Sequence, residues 1–228
     1  IGIPLLMILW GGIKLIFGIT RTRYVGVLFF NRWLVGLIIC MYFGIKLGKS
    51  FRYPGNYQGS QKLELRSDTL IDLRIAANEK INKLYNTAKY VEIEDLKMYI
   101  SNDNGDVFYG IPELRIEKAA GSEISLETIK MAKGKSAREA DDRAKGTIYH
   151  YTTNSNSLVF DPFFKLPEND LWRVQQVNLL LEVPVGTYLH IDPDMDKVID
   201  KDTDFGYDLA GKTWKMTETG LVEAAYPP

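Results

Sequence analysis

Cysteine occurs once in the 228 residues, as Cys40, and histidine twice, as His150 and His190. A single cysteine closes no internal disulfide, so cysteine usage says nothing about redox compartment. Cys40 lies in an apolar run and reads as a small hydrophobe within a helix, reversible palmitoylation being the other use of a cysteine there. No HExxH, CxxC, GxSxG or phosphate-loop pattern occurs. Acid is missing from residues 1–52, which hold Lys14, Arg21, Arg23, Arg32, Lys46, Lys49 and Arg52. The other 21 bases therefore face all 29 acids, and an acidic remainder does not suit a nucleic-acid surface. A cationic, apolar start ahead of an acidic remainder points to membrane contact followed by a water-soluble domain.

Two apolar runs make up that start. The first, Ile1 to Ile19, is interrupted only by Lys14, whose ammonium can snorkel to an interface along its own stem. About 20 apolar residues cross a bilayer core, so the run is marginal as it stands and an upstream part of the chain is expected. Its charges, Arg21 and Arg23, follow the apolar stretch, whereas a secretory signal carries them in front. The second run, Tyr24 to Ile45, contains Asn31 and Arg32. Either the span is Trp33 to Ile45 with Val25 to Phe30 at the interface, or the whole run spans and Arg32 faces a partner helix. Tyr24, Trp33 and Tyr42 suit interfacial depths, and the glycines of both runs allow close helix approach. The expectation is a transmembrane hairpin over residues 1–47, turned at Thr20 to Arg23. The Lys and Arg counts on its two sides are too even to orient it.

A Gly/Ser/Pro/Asn-rich stretch, residues 48–61, reads as a linker. Short alternating runs follow over residues 62–228: Ile71, Leu73, Ile75; Leu96, Met98, Ile100; Leu114, Ile116; Leu158, Phe160; and most clearly Val177, Leu179, Leu181, Val183. Apolar residues at period two predict half-buried strands. Turn signals lie at Asn102–Gly105, Asn154–Asn156 and Pro184–Gly186. Ser136 with Glu139 is a capping-box pattern. It starts a helix with a small apolar stripe, Ala137, Ala140 and Ala144, suited to lying close on a sheet and stopped at Gly146. Ile81, Leu84, Tyr85 and Ala88 have helical spacing. Many short strands with few helices predict a mainly β domain, whether sandwich, barrel or solenoid-like stack.

Candidate chemistry is sparse. His190 with Asp192 is a conceivable ligand pair, but a metal site needs several converging groups. Asp192, Asp194, Asp196, Asp200, Asp202, Asp204 and Asp208 alternate like a calcium loop, yet neither possible register supplies the required Gly and Glu. A solvated acidic loop is the expectation. Tyr149, Tyr151, Phe160, Phe163, Phe164 and Trp172 read as core. No catalytic constellation, cofactor site or metal site is expected.

The stretch "GKSAREADDRAKGTIYHYTTNSNSLVFDPFFKLPENDLWRVQQVNLLLEVPVGTYLHID" from Gly134, with "GKTWKMTETGLVEA" from Gly211, resembles the C-terminal half of long bacterial phage shock protein C (PspC) proteins. The opening "IGIPLLMILWGGIKLIFGI" is similar to that family's membrane part, while its usual N-terminal domain has no counterpart here. The resemblance implies a toastrack-like β domain, a place in the bacterial inner membrane and signalling in envelope stress through protein contacts. It carries over no catalytic residue. The implied partners are the lipid bilayer, membrane-stress regulatory proteins and a second copy of the chain, with no nucleic acid. The alternative is a structural or adhesin-like β domain on a membrane stalk.

Overall fold

The computed structural model describes residues 8, 12, 23–66, 68–77, 88–93, 96–101, 107–167, 170–200 and 209–227. The chain divides into two compact units, Ile1–Ser50 and Phe51–Pro228.

In the first unit the second apolar run is one continuous helix, α1 (Arg23–Lys49), with Lys46 and Lys49 in its last turn. Basic side chains there complement the carbonyls left free at a helix C-terminus. Asn31 and Arg32 lie inside the helix and are exposed, so the run is not broken before Trp33. Phe30–Lys49 is long and apolar enough to cross a membrane, and none of it is buried against protein. A core helix of a water-soluble domain passes the same length and composition test but is covered on one face, as this one is not. Of the first apolar run, Ile8 and Gly12 are described and both are helical. The rest of that run and Thr20–Thr22 of the expected turn lie outside the described residues, as do the helical spacing at 81–87 and the turn signal at 102–105.

The second unit is mainly β. Its strands in chain order are β1 (Tyr53–Lys62), β2 (Leu70–Ile75), β3 (Lys89–Ile93), β4 (Leu96–Ser101), β5 (Val107–Gly110), β6 (Glu113–Lys118) and β7 (Ser125–Gly134). After helix α2 (Ala137–Gly146) come β8 (Tyr151–Asn154), β9 (Ser157–Phe160), β10 (Phe164–Lys165), β11 (Gln176–Val183), β12 (Tyr188–Ile191), β13 (Lys212–Thr217) and β14 (Gly220–Glu223). They form a four-stranded sheet β1-β7-β11-β6, a six-stranded sheet β14-β13-β12-β2-β9-β8 and a four-stranded sheet β10-β5-β4-β3. Both larger sheets are mixed. β6 runs parallel to β11, and β2 is parallel to both of its neighbours, β9 and β12.

The alternation read along β11 is the alternation of its burial: Val177, Leu179, Leu181 and Val183 are all buried. They share one cluster with Leu114, Ile116 and Leu126 of the same sheet and with Ile71, Leu73, Leu158, Phe160, Leu189, Ile191, Trp214 and Met216 of the six-stranded sheet. The buried faces of the two larger sheets thus make one core. The Asn154–Asn156 turn joins β8 to β9 with Ser155 at φ 51°, and Gly186, at φ 94°, closes the turn that leads into β12.

The stretch expected as a linker over 48–61 is corrected by the structure. Ten residues, Tyr53–Lys62, form β1 and pair without a break against β7, from Tyr53 with Gly134 to Lys62 with Ser125. β1 has no apolar alternation because most of its side chains are exposed. Its small residues serve a different contact. α2 packs over β1 and β7, burying Ala140 and Ala144, and a Cβ on Gly55 would collide with the Ala140 backbone. A Cβ on Gly134 would lie 2.7 Å from the Ala140 nitrogen. The backbone N–H of Asn56 also donates to Asp141 of α2 at 3.1 Å. Half of the expected capping box is made: Ser136 Oγ accepts from the Glu139 N–H at 3.2 Å. The Glu139 carboxylate turns instead to Arg143, also at 3.2 Å. Ala137 is exposed, leaving Ala140 and Ala144 as the packed stripe.

Gly55→Ala is expected to destabilise the β-rich unit by about 1–3 kcal/mol, since the added methyl meets backbone rather than a movable side chain. Urea unfolding of the full chain in mild detergent, followed by tryptophan emission, reads this as a lower midpoint. An unchanged midpoint removes the close approach of α2 from the account of what holds β1.

Candidate interaction surface

The residues singled out by sequence do not converge. His150 is exposed. His190 on β12 contacts Thr213 Oγ1 through Nδ1 at 3.2 Å. The Asp192 carboxylate accepts the Asp194 N–H at 3.0 Å, capping a short 3-10 turn at Pro193–Lys197. Asp194 pairs with Lys197 at 2.9 Å and Asp200 with Arg115 at 2.8 Å. Among the described residues no group of three or more His, Cys, Asp or Glu is placed to hold a metal ion. Asp202, Asp204 and Asp208 lie outside the described residues. Of the aromatic set, Phe160, Phe163 and Phe164 are buried. Tyr149 and Tyr151 are only partly buried against the core. Trp172 departs from its core assignment: it is half-buried and meets the Phe51 ring at 6.4 Å in a tilted contact.

The surface that does assemble lies on the small sheet. Strand register sets Tyr90 of β3 opposite Tyr99 of β4, Tyr99 opposite Tyr109 of β5, and Tyr109 opposite Lys165 of β10. Three tyrosines and a lysine thus form one row across four strands. Cross-strand neighbours on one face stand within aromatic contact distance. The Tyr90 and Tyr99 rings are 5.2 Å apart, and Phe163 meets Tyr99 at 5.2 Å and Tyr109 at 6.1 Å, both edge to face. Lys165 Nζ sits 5.8 Å from the Tyr109 ring centre, a cation–π distance. Tyr90 is 43% exposed. Tyr99 is half-buried, and that burial pushes its phenol above the ordinary value, with Lys197 opposing.

The opposite face of this sheet is apolar. Met98, Gly110 and Phe164 are in register and buried, and the Phe164 ring occupies the space a Gly110 side chain would take. One face is therefore packed against the domain, leaving a partly exposed aromatic row on the other. Tyrosine gives large amphipathic contact area at low entropic cost, the property that enriches it at protein interfaces. The row was not legible in sequence. Its members stand at 90, 99 and 109 in three short strands, and only the pairing register aligns them.

The chain thus combines a helix apolar enough to cross a membrane with a mainly β domain of short strands that carries an aromatic face. Residues 100–223 match the family model described as ToastRack found in some PspC. The chain belongs to the PspC family and carries its C-terminal toastrack domain. No curated protein and no solved structure matches the chain.

One titratable group of the domain yields a pH prediction. Tyr149 has a buried hydroxyl with no hydrogen-bond partner among the described residues. Burial pushes its phenol well above the ordinary value of 10.0, reinforced by Asp161 and Tyr151. Below that ordinary value both folded and unfolded chains keep the proton. Above it the unfolded chain ionises first, so stability falls as pH rises past about 10. Tyr149→Phe removes this term together with the unsatisfied hydroxyl of that side chain. Its urea midpoint should equal or exceed the parent's at pH 8, with the gap in its favour widening at pH 11. Parallel losses in the two chains would refute the assignment.

Proposed function

We propose that this PspC-family protein is a membrane-anchored component of the envelope-stress response of phage-shock type, acting through protein–protein contacts of its β-rich domain. The observation that carries the proposal is the toastrack match over 100–223 in a chain whose α1 is long and apolar enough to span a bilayer. The anchor is a helical hairpin in the bacterial inner membrane, with residues 1–19 as its first arm. The helical state of Ile8 and Gly12 supports that arm. The soluble part is a solenoid-like stack of short strands, and its partners are regulatory proteins of the membrane-stress system. The row Tyr90, Tyr99, Tyr109 and Lys165 is the contact surface, because it is aromatic, partly exposed and backed by buried side chains. No catalytic step is part of this function.

Affinity capture of the tagged full chain from solubilised bacterial membranes tests it. Membrane-stress regulators are expected in the eluate. The double variant Tyr90→Ala, Tyr109→Ala should reduce their recovery about tenfold, the effect of losing an interfacial aromatic anchor. Its unfolding midpoint serves as the control for an intact fold. Recovery of no such regulator overturns the functional reading; undiminished recovery by a folded double variant overturns the surface.

A further inference from the structure

A second surface lies at one end of the sheet β1-β7-β11-β6, where the strand directions bring three segments together. β1 and β11 both run antiparallel to β7, so both begin where β7 ends. Phe51, Arg52 and Tyr53 at the entry to β1 therefore share this end with Lys133 and Lys135 at the exit of β7 and with the loop Leu171–Val174 that leads into β11. Phe51 packs on Trp172, and the Arg173 guanidinium lies 5.0 Å over the Phe51 ring. Arg52 lies 5.5 Å over the Tyr53 ring. Leu171 is 59% exposed and Tyr53 40% exposed.

The loop that presents these side chains is held from beneath. The fully buried Gln175 accepts the Arg173 N–H through Oε1 and donates to the Leu171 carbonyl at 3.3 Å. Arg143 donates to the same carbonyl at 3.3 Å, and the Lys133 N–H donates to the Arg173 carbonyl at 2.7 Å. Val174, a β-branched residue, is held at φ 56°, a left-handed conformation that persists only where surrounding contacts impose it. Of the nearby acids, Glu139 and Asp170 are half-buried, whereas Asp141 and Asp142 are exposed. Glu139 and Asp170 pair with Arg143, and Asp141 accepts the Asn56 N–H. Exposed at this end are Arg52, Tyr53, Lys133, Leu171 and Lys135, the last paired with Glu139 at 3.6 Å, so cations, rings and an apolar side chain outnumber the exposed Asp141 and Asp142.

We propose that this end of the β domain rests on the anionic surface of the bilayer. The inference depends on the reading of α1 as a membrane span. Chain order supplies the occupant: only Ser50, Phe51 and Arg52 separate the last residue of α1 from the first of β1. Aromatic rings with polar edges settle at headgroup depth, and Lys and Arg beside a span are drawn to anionic lipid. Both residue types stand at the end where the chain enters, continuing the cationic series Lys46, Lys49 and Arg52.

The test uses the full chain reconstituted in vesicles of phosphatidylcholine with phosphatidylglycerol. Single fluorescent labels are placed at the native Cys40 and, in a Cys40→Ser background, at Leu171→Cys and Ser122→Cys. Ser122 is exposed on the loop before β7, about 30 Å away at the other end of that strand. Nitroxide-bearing lipid should quench the Leu171 label at least twofold more than the Ser122 label, and replacing phosphatidylglycerol by phosphatidylcholine should shrink that difference. A quenched Cys40 label with a Leu171 label as water-exposed as the Ser122 label overturns the surface contact and leaves the span standing. A Leu171 label shielded from water yet untouched by the lipid quencher assigns the face to a second copy and also overturns it. An unquenched Cys40 label removes the span, and the contact with it.

Discussion

β1 is held in the domain by its backbone, and that constraint organises the rest. The strand YPGNYQGSQK offers almost nothing to a hydrophobic core. It keeps its place through a ten-residue ladder with β7 and through α2, which lies against it closely enough that Gly55 and Gly134 can carry no side chain. An edge strand without a buried face has weakly specified register. Here the register is fixed by where α2 meets the two glycines and by the Asp141 carboxylate on the Asn56 N–H. The same contacts guard the edge. Pro54 lacks an N–H, and Asp141 occupies that of Asn56, so part of the outer edge cannot template another chain.

The parts of the fold that were legible in sequence are those where local pattern and burial coincide. β11 alternates residue by residue as its apolar positions predict, and Ser136 starts α2 as its spacing with Glu139 predicts. The linker reading failed because composition reports flexibility only when no partner strand competes. The partner of β1 begins over sixty residues later in the chain, and no local signal announces it. Trp172 failed for a related reason: a large aromatic is read as core by default, whereas here its partner is Phe51 near the start of the domain. The Glu139 carboxylate left its capping role for Arg143, which also binds Asp170, a choice set by tertiary contacts.

The candidate surfaces were less legible than the core, and for a definite reason. A core residue announces itself by periodicity along one strand, whereas a surface row is a property of register between strands. Tyr90, Tyr99 and Tyr109 stand nine and ten residues apart, a spacing that means nothing until β3, β4 and β5 are paired. The basic and aromatic end of the β1-β7-β11 sheet likewise draws on three segments that are remote in sequence. The functional content of the domain is thus written across its ladders.

The small sheet shows how such a row stays available. An aromatic row free on both sides would collapse onto neighbouring apolar surface, because burial of its rings is favourable wherever it occurs. Gly110 prevents this by letting the Phe164 ring press against the backbone of β5, so the inner face is closed tightly by Met98 and Phe164. Phe163, the preceding residue, turns to the other side and wedges between Tyr99 and Tyr109. Two adjacent phenylalanines therefore serve opposite faces, one sealing the sheet to the domain and one bracing the tyrosines. With the rings already ordered by Phe163 and by one another, a partner that covers them gives up little further side-chain entropy on binding. That is the physical case for a recognition surface on the small sheet.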